Sequence, residues 1–269
     1  MNQSKRSKIF VVGNEKGGAG KTTCSMHLII GLLDRGYNIA SIDTDSRQHS
    51  LTSYINNRKE YNNKNPQHKV DMPLHFHLQG VEHEVLVEKE KQEKIQFEQA
   101  FNVAQNHADY IVIDTPGSYT NLSRIAHSYA DTVITPINDS FIDLDVIAKV
   151  EGKDLGVFKP SIYSQMLWEQ KMERAARDQG SIDWVVVRNR LSSLDAQNKR
   201  NMADALEKIS KRIAFRIVPG FSERVIFREL FLHGLTLLDL NKANFTKTLN
   251  LSHVAARQEI RDFLDSLKV

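Results

Sequence analysis

The chain has 269 residues, 41% of them hydrophobic, with a formal net charge of +3 and one cysteine, which suits a globular protein large enough to bury a sizeable core. One cysteine excludes an intrachain disulfide, and no apolar run reaches the roughly 18 residues that a membrane-spanning helix needs. The start MNQSKRSK runs directly into an apolar strand pattern without a signal-peptide core, so a cytoplasmic location is expected.

Residues 9–12 (IFVV) form a short apolar run ending at a glycine, as a buried strand does. A loop over 14–20 leads into a helical pattern that carries Leu28, Ile29, Leu32 and Leu33 and closes at Gly36. A second buried strand spans 39–42 and ends at Asp43; residues 47–60 read as helix, 66–73 as loop and 74–78 as a half-buried strand. The charged run 82–94 reads as an exposed helix or loop, and 97–104 as helix. Further strands are expected at 110–113, 132–137, 184–187 and 214–218, with helical patterns at 195–212, 222–232 and 253–267. Strands alternating with helices predict an α/β fold, a mostly parallel twisted sheet with helices on both faces. No repeat or low-complexity linker interrupts the chain, so residues 1–269 read as one domain.

The chemistry concentrates in GNEKGGAGKTT, residues 13–23, set between a strand and a helix. That context is the one a phosphate-binding loop requires. Gly17, Gly18 and Gly20, with Ala19 between them, let the backbone wrap a phosphate so that its N–H groups point inward at a helix N-terminus. Lys21 supplies a mobile positive charge, Thr22 a hydroxyl for Mg²⁺, and Thr23 continues the loop into the helix. Asp114 ends an apolar strand, where a second carboxylate for the Mg²⁺ shell belongs. Asp43 and Asp45 follow the second strand: Asp45 is placed to orient an attacking water, and Asp43 to support either the metal or the loop. ATP and Mg²⁺ are the expected ligands.

Lys16 is not needed to wrap phosphate within one subunit. With it the motif is KGGAGKTT, which resembles the ParA/MinD family of deviant Walker A P-loop ATPases. The resemblance implies that Lys16 reaches across an ATP-dependent homodimer to the partner's nucleotide, that Lys21 and Asp45 serve hydrolysis, and that Asn189 and Pro219 form the adenine pocket. The family's usual Asp-Pro-Gln is here Asp45-Ser46-Arg47-Gln48, so Asp45 is matched while the loop around it differs. The segments TPINDSFIDLD (135–145), DWVVVRNRL (183–191), FRIVPGFSERVIFREL (215–230), GLTLLDL (234–240) and AARQEIR (255–261) are similar to the MipZ branch, which controls placement of the division plane. That similarity implies three partners: a ParB-like centromere-binding protein, the tubulin-like division protein FtsZ, and nonspecific DNA, with association to the nucleoid. A ParA-type chromosome or plasmid partition ATPase is the alternative within the same chemistry. A pure ATP-binding module and a dethiobiotin-synthetase-like ligase are rivals from other classes.

Charge is uneven. Residues 188–228 carry ten Lys/Arg and four Asp/Glu, which suits a polyanion partner. Lys199, Arg200, Lys208, Lys211 and Arg212 on one helical pattern, with Arg224 and Arg228 on the next, are the candidate DNA-binding residues. Lys208, Lys211 and Arg212 share a helical face. An i, i+2 pair, His75 and His77, without cysteine, is a poor metal set. Ile260, Phe263, Leu264 and Leu267 form a stripe flanked by Glu259, Asp262 and Asp265, the wrong sign for anionic lipid, so core packing is expected and no membrane insertion.

Overall fold

The computed structural model describes residues 6–151, 157–191, 196–243 and 251–269. The elements run β1 (Lys8–Val12), α1 (Lys21–Asp34), β2 (Ile39–Asp43), α2 (Ser50–Lys64), β3 (Leu74–His77), α3 (Leu86–His107), β4 (Tyr110–Asp114), α4 (Asn121–Tyr129) and β5 (Thr132–Asn138). They continue with α5 (Phe141–Leu144), β6 (Ala148–Glu151), β7 (Val157–Pro160), α6 (Ile162–Asp178), β8 (Asp183–Asn189), α7 (Ala196–Ile213), β9 (Arg216–Val218), α8 (Val225–Phe231) and α9 (Leu251–Ser266). Seven strands make one parallel sheet in the order β3-β2-β4-β1-β5-β8-β9, and β6 and β7 form a separate antiparallel pair. The α/β expectation from the alternating pattern therefore holds.

Strand periodicity divides the core. Phe10 and Val12 of β1 face a cluster with α1, α2, α8 and α9, while Ile9 and Val11 face one with α3, α4, α6 and α7. Helix α1 is buried from Cys24 to Leu32 because α9 lies over it. Ile260, Phe263, Leu264 and Leu267 of the C-terminal stripe all sit in the core, each side chain worth about 1.5–3 kcal/mol if fully removed from water. A Cβ on Gly31 would meet Leu264 Cδ1 at 2.3 Å, so the close approach of α1 and α9 depends on that glycine.

Some boundaries differ from the sequence pattern for local reasons. Helix α2 starts at Ser50, not 47, because Asp45 Oδ1 accepts the N–H groups of Arg47 and Gln48 and His49 takes a left-handed φ of 48°. Helix α8 starts at Val225, not 222, because the backbone N–H and hydroxyl of Ser222 both donate to Glu259. The charged run and the helix after it are one element, α3, laced by Lys89–Glu93 and Lys94–Glu98 pairs at i, i+4. Strand β9 starts at Arg216 because Ala214 has a φ of 61°.

Parallel register aligns the C-terminal strand ends. Val12 and Asp43 are each the register partner of Asp114. The chain leaves β1 toward β2 on one side and reaches β5 on the other, so the crevice above β1 is a topological switch point, where ligands of open α/β sheets bind.

Candidate nucleotide-binding site

The loop between β1 and α1 lies over that switch point. Gly18 and Gly20 have φ of 73° and 91°, which a side chain would strain. Gly20 is also crowded: a Cβ there would lie 2.0 Å from Asn189 Nδ2. Gly20 caps α1 without a side-chain acceptor, so the first amide donors of the helix remain for an anion in the cavity. Gly17, Gly18, Gly20, Lys21, Thr22 and Thr23 line one cavity of about 480 Å³, together with Asp45, Asp114 and residues 115–118. Ala19 is buried beneath it, its carbonyl accepting from Asn189 Nδ2 at 2.9 Å.

Lys21 Nζ donates to the Lys16 carbonyl at 3.1 Å, which folds the ammonium back into its own loop. Burial holds its pKa below the usual lysine range, opposed by the charges of Asp114 and Asp45. Asp114 is 4% exposed. Its two oxygens accept from the Thr22 hydroxyl at 2.8 Å and the Ser25 hydroxyl at 2.9 Å. Burial, helped by the neighbouring Asp43, pushes its carboxyl up to about 7, against the pull of those two hydroxyls and Lys21. A carboxylate buried beside another carboxylate is poised for a cation, and the donors at hand are all oxygen, the set a hard divalent ion takes. Thr22 and Asp114 fit Mg²⁺ on these grounds.

Asp43 is buried, and its oxygens accept from the Asp45 N–H at 3.0 Å, the Thr52 N–H at 2.9 Å and the Thr52 hydroxyl at 2.8 Å. In this arrangement it ties the Asp45 loop to the first turn of α2. Asp45 in turn braces Arg47 and Gln48 and faces the cavity.

Lys16 turns away from its own loop. Its ammonium pairs with Asp143, a carboxylate 3% exposed at the start of α5, whose other oxygen accepts the Asn138 N–H at 3.0 Å. Nothing in local spacing points to Asp143 as that partner, because the contact joins positions 127 apart in the chain. Ser25 had a signal, three residues after Thr22 on α1. Arg47, Gln48, Ser50, Arg190 and Phe231 also line the cavity and were not singled out by sequence. Asn189 is brought to the loop; Pro219 is exposed and not among the residues lining the cavity.

The basic candidates separate. Arg200, Lys208, Lys211 and Arg212 are exposed on α7, with Lys211 paired to Glu207 at 3.2 Å. The side chain of Lys199 and the helix start expected at 195 lie outside the described residues. Arg228 pairs with Glu223 at 2.8 Å. Arg224 is 15% exposed and bonds Glu259 and Ser252 of α9, which gives it a structural task. His75 spends both ring nitrogens on the hydroxyls of Ser41 and Thr52, and no metal-binding group of three or more His, Cys, Asp or Glu occurs among the described residues. No helix of the described residues is long and apolar enough to cross a membrane.

Against known proteins, the family model described as ATPase MipZ matches residues 8–269. No curated protein sequence gives a significant match. Among solved structures, the ATP complex of McdA from Cyanothece aligns with a TM-score of 0.65 at 16% identity, covering 98% of this chain and 97% of that one. A plasmid partition protein of Borrelia burgdorferi bound to AMPPNP aligns at 0.60 and 17%, covering 98% and 100%. MinD in a MinC:MinD complex from Aquifex aeolicus aligns at 0.55 and 19%, covering 97% and 96%. At these identities the structural likeness carries the fold.

Proposed function

Since the chain belongs to the MipZ family of ATPases, we propose that it is an ATP-dependent dimerisation switch that hydrolyses ATP with Mg²⁺. The observation that carries this reading is the pair of lysines on one loop, Lys21 folded into the cavity and Lys16 turned out of it. Lys21 and the loop amides bind the outer phosphates, and Thr22 and Asp114 would hold Mg²⁺, with Asp43 behind them. Mg²⁺ held there would supply charge neutralisation for the phosphates. Lys16 leaves Asp143 and crosses to the nucleotide of a second subunit. Asp45, already braced by Arg47 and Gln48, orients the water that attacks. Asn189 and Pro219 bound the adenine. Catalysis is then mainly positioning and electrostatic stabilisation. Loss of the γ-phosphate removes what Lys16 crossed for, and the dimer parts.

In the cell the switch regulates division in space as an inhibitor of FtsZ assembly, coupled to a ParB-like protein and retained on the nucleoid by nonspecific DNA contacts. The exposed Arg200, Lys208, Lys211 and Arg212 suit phosphate contacts that read no bases, and a dimer doubles them. Arg224 contributes by holding α9.

The test is light scattering with AMPPNP and phosphate release with ATP. Wild-type protein should dimerise with AMPPNP. Lys16→Ala should stay monomeric yet bind nucleotide. Asp45→Ala should dimerise and turn over at least ~100-fold more slowly. A normal Lys16→Ala dimer, or full turnover in Asp45→Ala, would sink the scheme. FtsZ sedimentation with the AMPPNP dimer separates division control from a partition role.

A further inference from the structure

Away from the nucleotide cavity, α6 carries apolar residues that none of the described residues covers. Trp168 and Met172, one turn apart, are 65% and 55% exposed, and Ile162 at the start of the helix is 65% exposed. Single exposed apolar residues are ordinary, but three on one helix that also borders a groove are not.

The groove runs between α6 and the C-terminal end of α7, and encloses about 500 Å³, within the ~300–1,000 Å³ of ligand sites. Its floor includes the ring of Trp184, whose indole N–H is spent inward on Thr135 Oγ1 at 3.0 Å, so that the ring offers the groove only carbon and π surface. Trp168 forms a wall. Lys171 lies with its ammonium 5.8 Å from the Trp184 ring centroid. Arg212 closes the far side, and Glu169 is the acidic residue on the rim.

Lys171 is the informative group. It is half-buried, yet among the described residues its ammonium has no carboxylate within ion-pair distance. The nearby Asp183 is engaged with the Arg216 guanidinium at 2.6 Å. A cation–π contact stabilises a partly desolvated ammonium less than a charge-assisted hydrogen bond to a carboxylate does. The exposed Trp168 indole beside the Lys171 ammonium defines a complementary occupant, an apolar side chain followed closely by a carboxylate.

We propose that the α6–α7 groove docks a short segment of a partner protein that presents an apolar anchor to Trp168 and an adjacent Asp or Glu to Lys171. The surface shares no residue with the nucleotide cavity, and the proposal does not rest on the switch reading.

The experiment uses the full chain and a display library of short random peptides. The chain has two tryptophans, and Trp184 is 3% exposed, so iodide quenching of fluorescence reports mainly on Trp168. Selection against wild-type protein, counter-selected on Trp168→Ala, should enrich peptides pairing an apolar residue with an acidic one. A synthetic capped winner should shift Trp168 emission to the blue and shield it from iodide. Lys171→Gln should weaken binding at least ~10-fold and Lys171→Arg should restore most of it, as one desolvated charge pair would. Nucleotide binding should be unchanged in all three variants, which shows that they fold. Enrichment of no such motif, or peptides that bind Trp168→Ala and Lys171→Gln as well as wild type, overturns the proposal. Displacement of the peptide by oligo-dT at Trp168 would make the occupant a nucleic acid, and self-association lost in Trp168→Ala would make it a second copy; either result overturns it too.

Discussion

Asp143→Asn isolates the contact that holds Lys16 in its own subunit. Asp143 accepts the Asn138 N–H on one oxygen and the Lys16 ammonium on the other. An asparagine keeps an acceptor for Asn138, so the start of α5 stays in place and only the ion pair is lost. The Lys16 side chain is 38% exposed, so solvent screens the pair and it is worth no more than about 1 kcal/mol. A symmetric dimer in which both lysines cross must break two such pairs, about 2 kcal/mol. Removing them in advance should tighten the AMPPNP dimer by up to ~30-fold. Sedimentation equilibrium with AMPPNP measures that constant, with ADP as the control that should remain monomeric. The gain should shrink at high salt, because the pair is partly exposed. Unchanged or weaker dimerisation, with intact nucleotide affinity and thermal midpoint, would refute the idea that Asp143 restrains Lys16.

Other regions give equally definite expectations. Gly20→Ala combines left-handed strain of about 1–3 kcal/mol with a Cβ 2.0 Å from Asn189 Nδ2, and should lower nucleotide affinity at least ~10-fold by calorimetry; unchanged affinity would show that the loop relaxes freely. Arg58 is fully buried, bonds both oxygens of Asp239 at 2.9 and 2.7 Å and the Gly234 carbonyl at 2.9 Å, and clamps α2 to the 234–240 segment. Arg58→Met should cost about 3–5 kcal/mol in urea unfolding, and adding Asp239→Asn should recover part of it; a loss below ~1 kcal/mol would contradict the clamp. Burial holds His27 and His127 at about 4, below the 6.5 of an unfolded histidine. The unfolded chain therefore takes up protons first as pH falls, so their contribution is full above about pH 6.5 and lost progressively down to about 4. At pH 5 each should have cost roughly 2 kcal/mol, and His127→Gln should flatten the urea-midpoint profile between pH 7 and 5; an unaltered slope would refute the assignment.

What could be read from sequence follows the range of the interactions. The phosphate loop is a local object. Strand, glycines, lysine and helix cap lie within 27 residues from Lys8 to Asp34, and their order alone dictates a concave array of amides. Asp43 and Asp114 were legible for a related reason, since apolar runs ending in Asp mark strand ends and parallel register then sets the two side by side. Partners supplied by the fold were not. Asp143 meets Lys16, and Asn189 meets Ala19, only because β5 lies beside β1 and β8 beside β5, an order that no local pattern specifies. Likewise Arg224 reads as one more cation in a basic stretch until Glu259 of α9 comes within 2.7 Å.

Helix α6 fails to announce itself for a different reason. Its inward residues Tyr163, Met166, Leu167, Gln170 and Arg174 follow a helical spacing, but two are polar because Arg174 serves the carbonyls of Tyr129 and Ala130 and the carboxylate of Asp131. Ile162, Trp168 and Met172 then place apolar residues on the outer face, where the pattern calls for polar ones. The two departures differ in kind. The inward arginine is explained within the fold by its four acceptors, counting Asp178 at 2.8 Å. The outward tryptophan has no such explanation among the described residues, and a helix that keeps large apolar residues in water beside an ammonium without a described carboxylate is what the proposed docking groove accounts for.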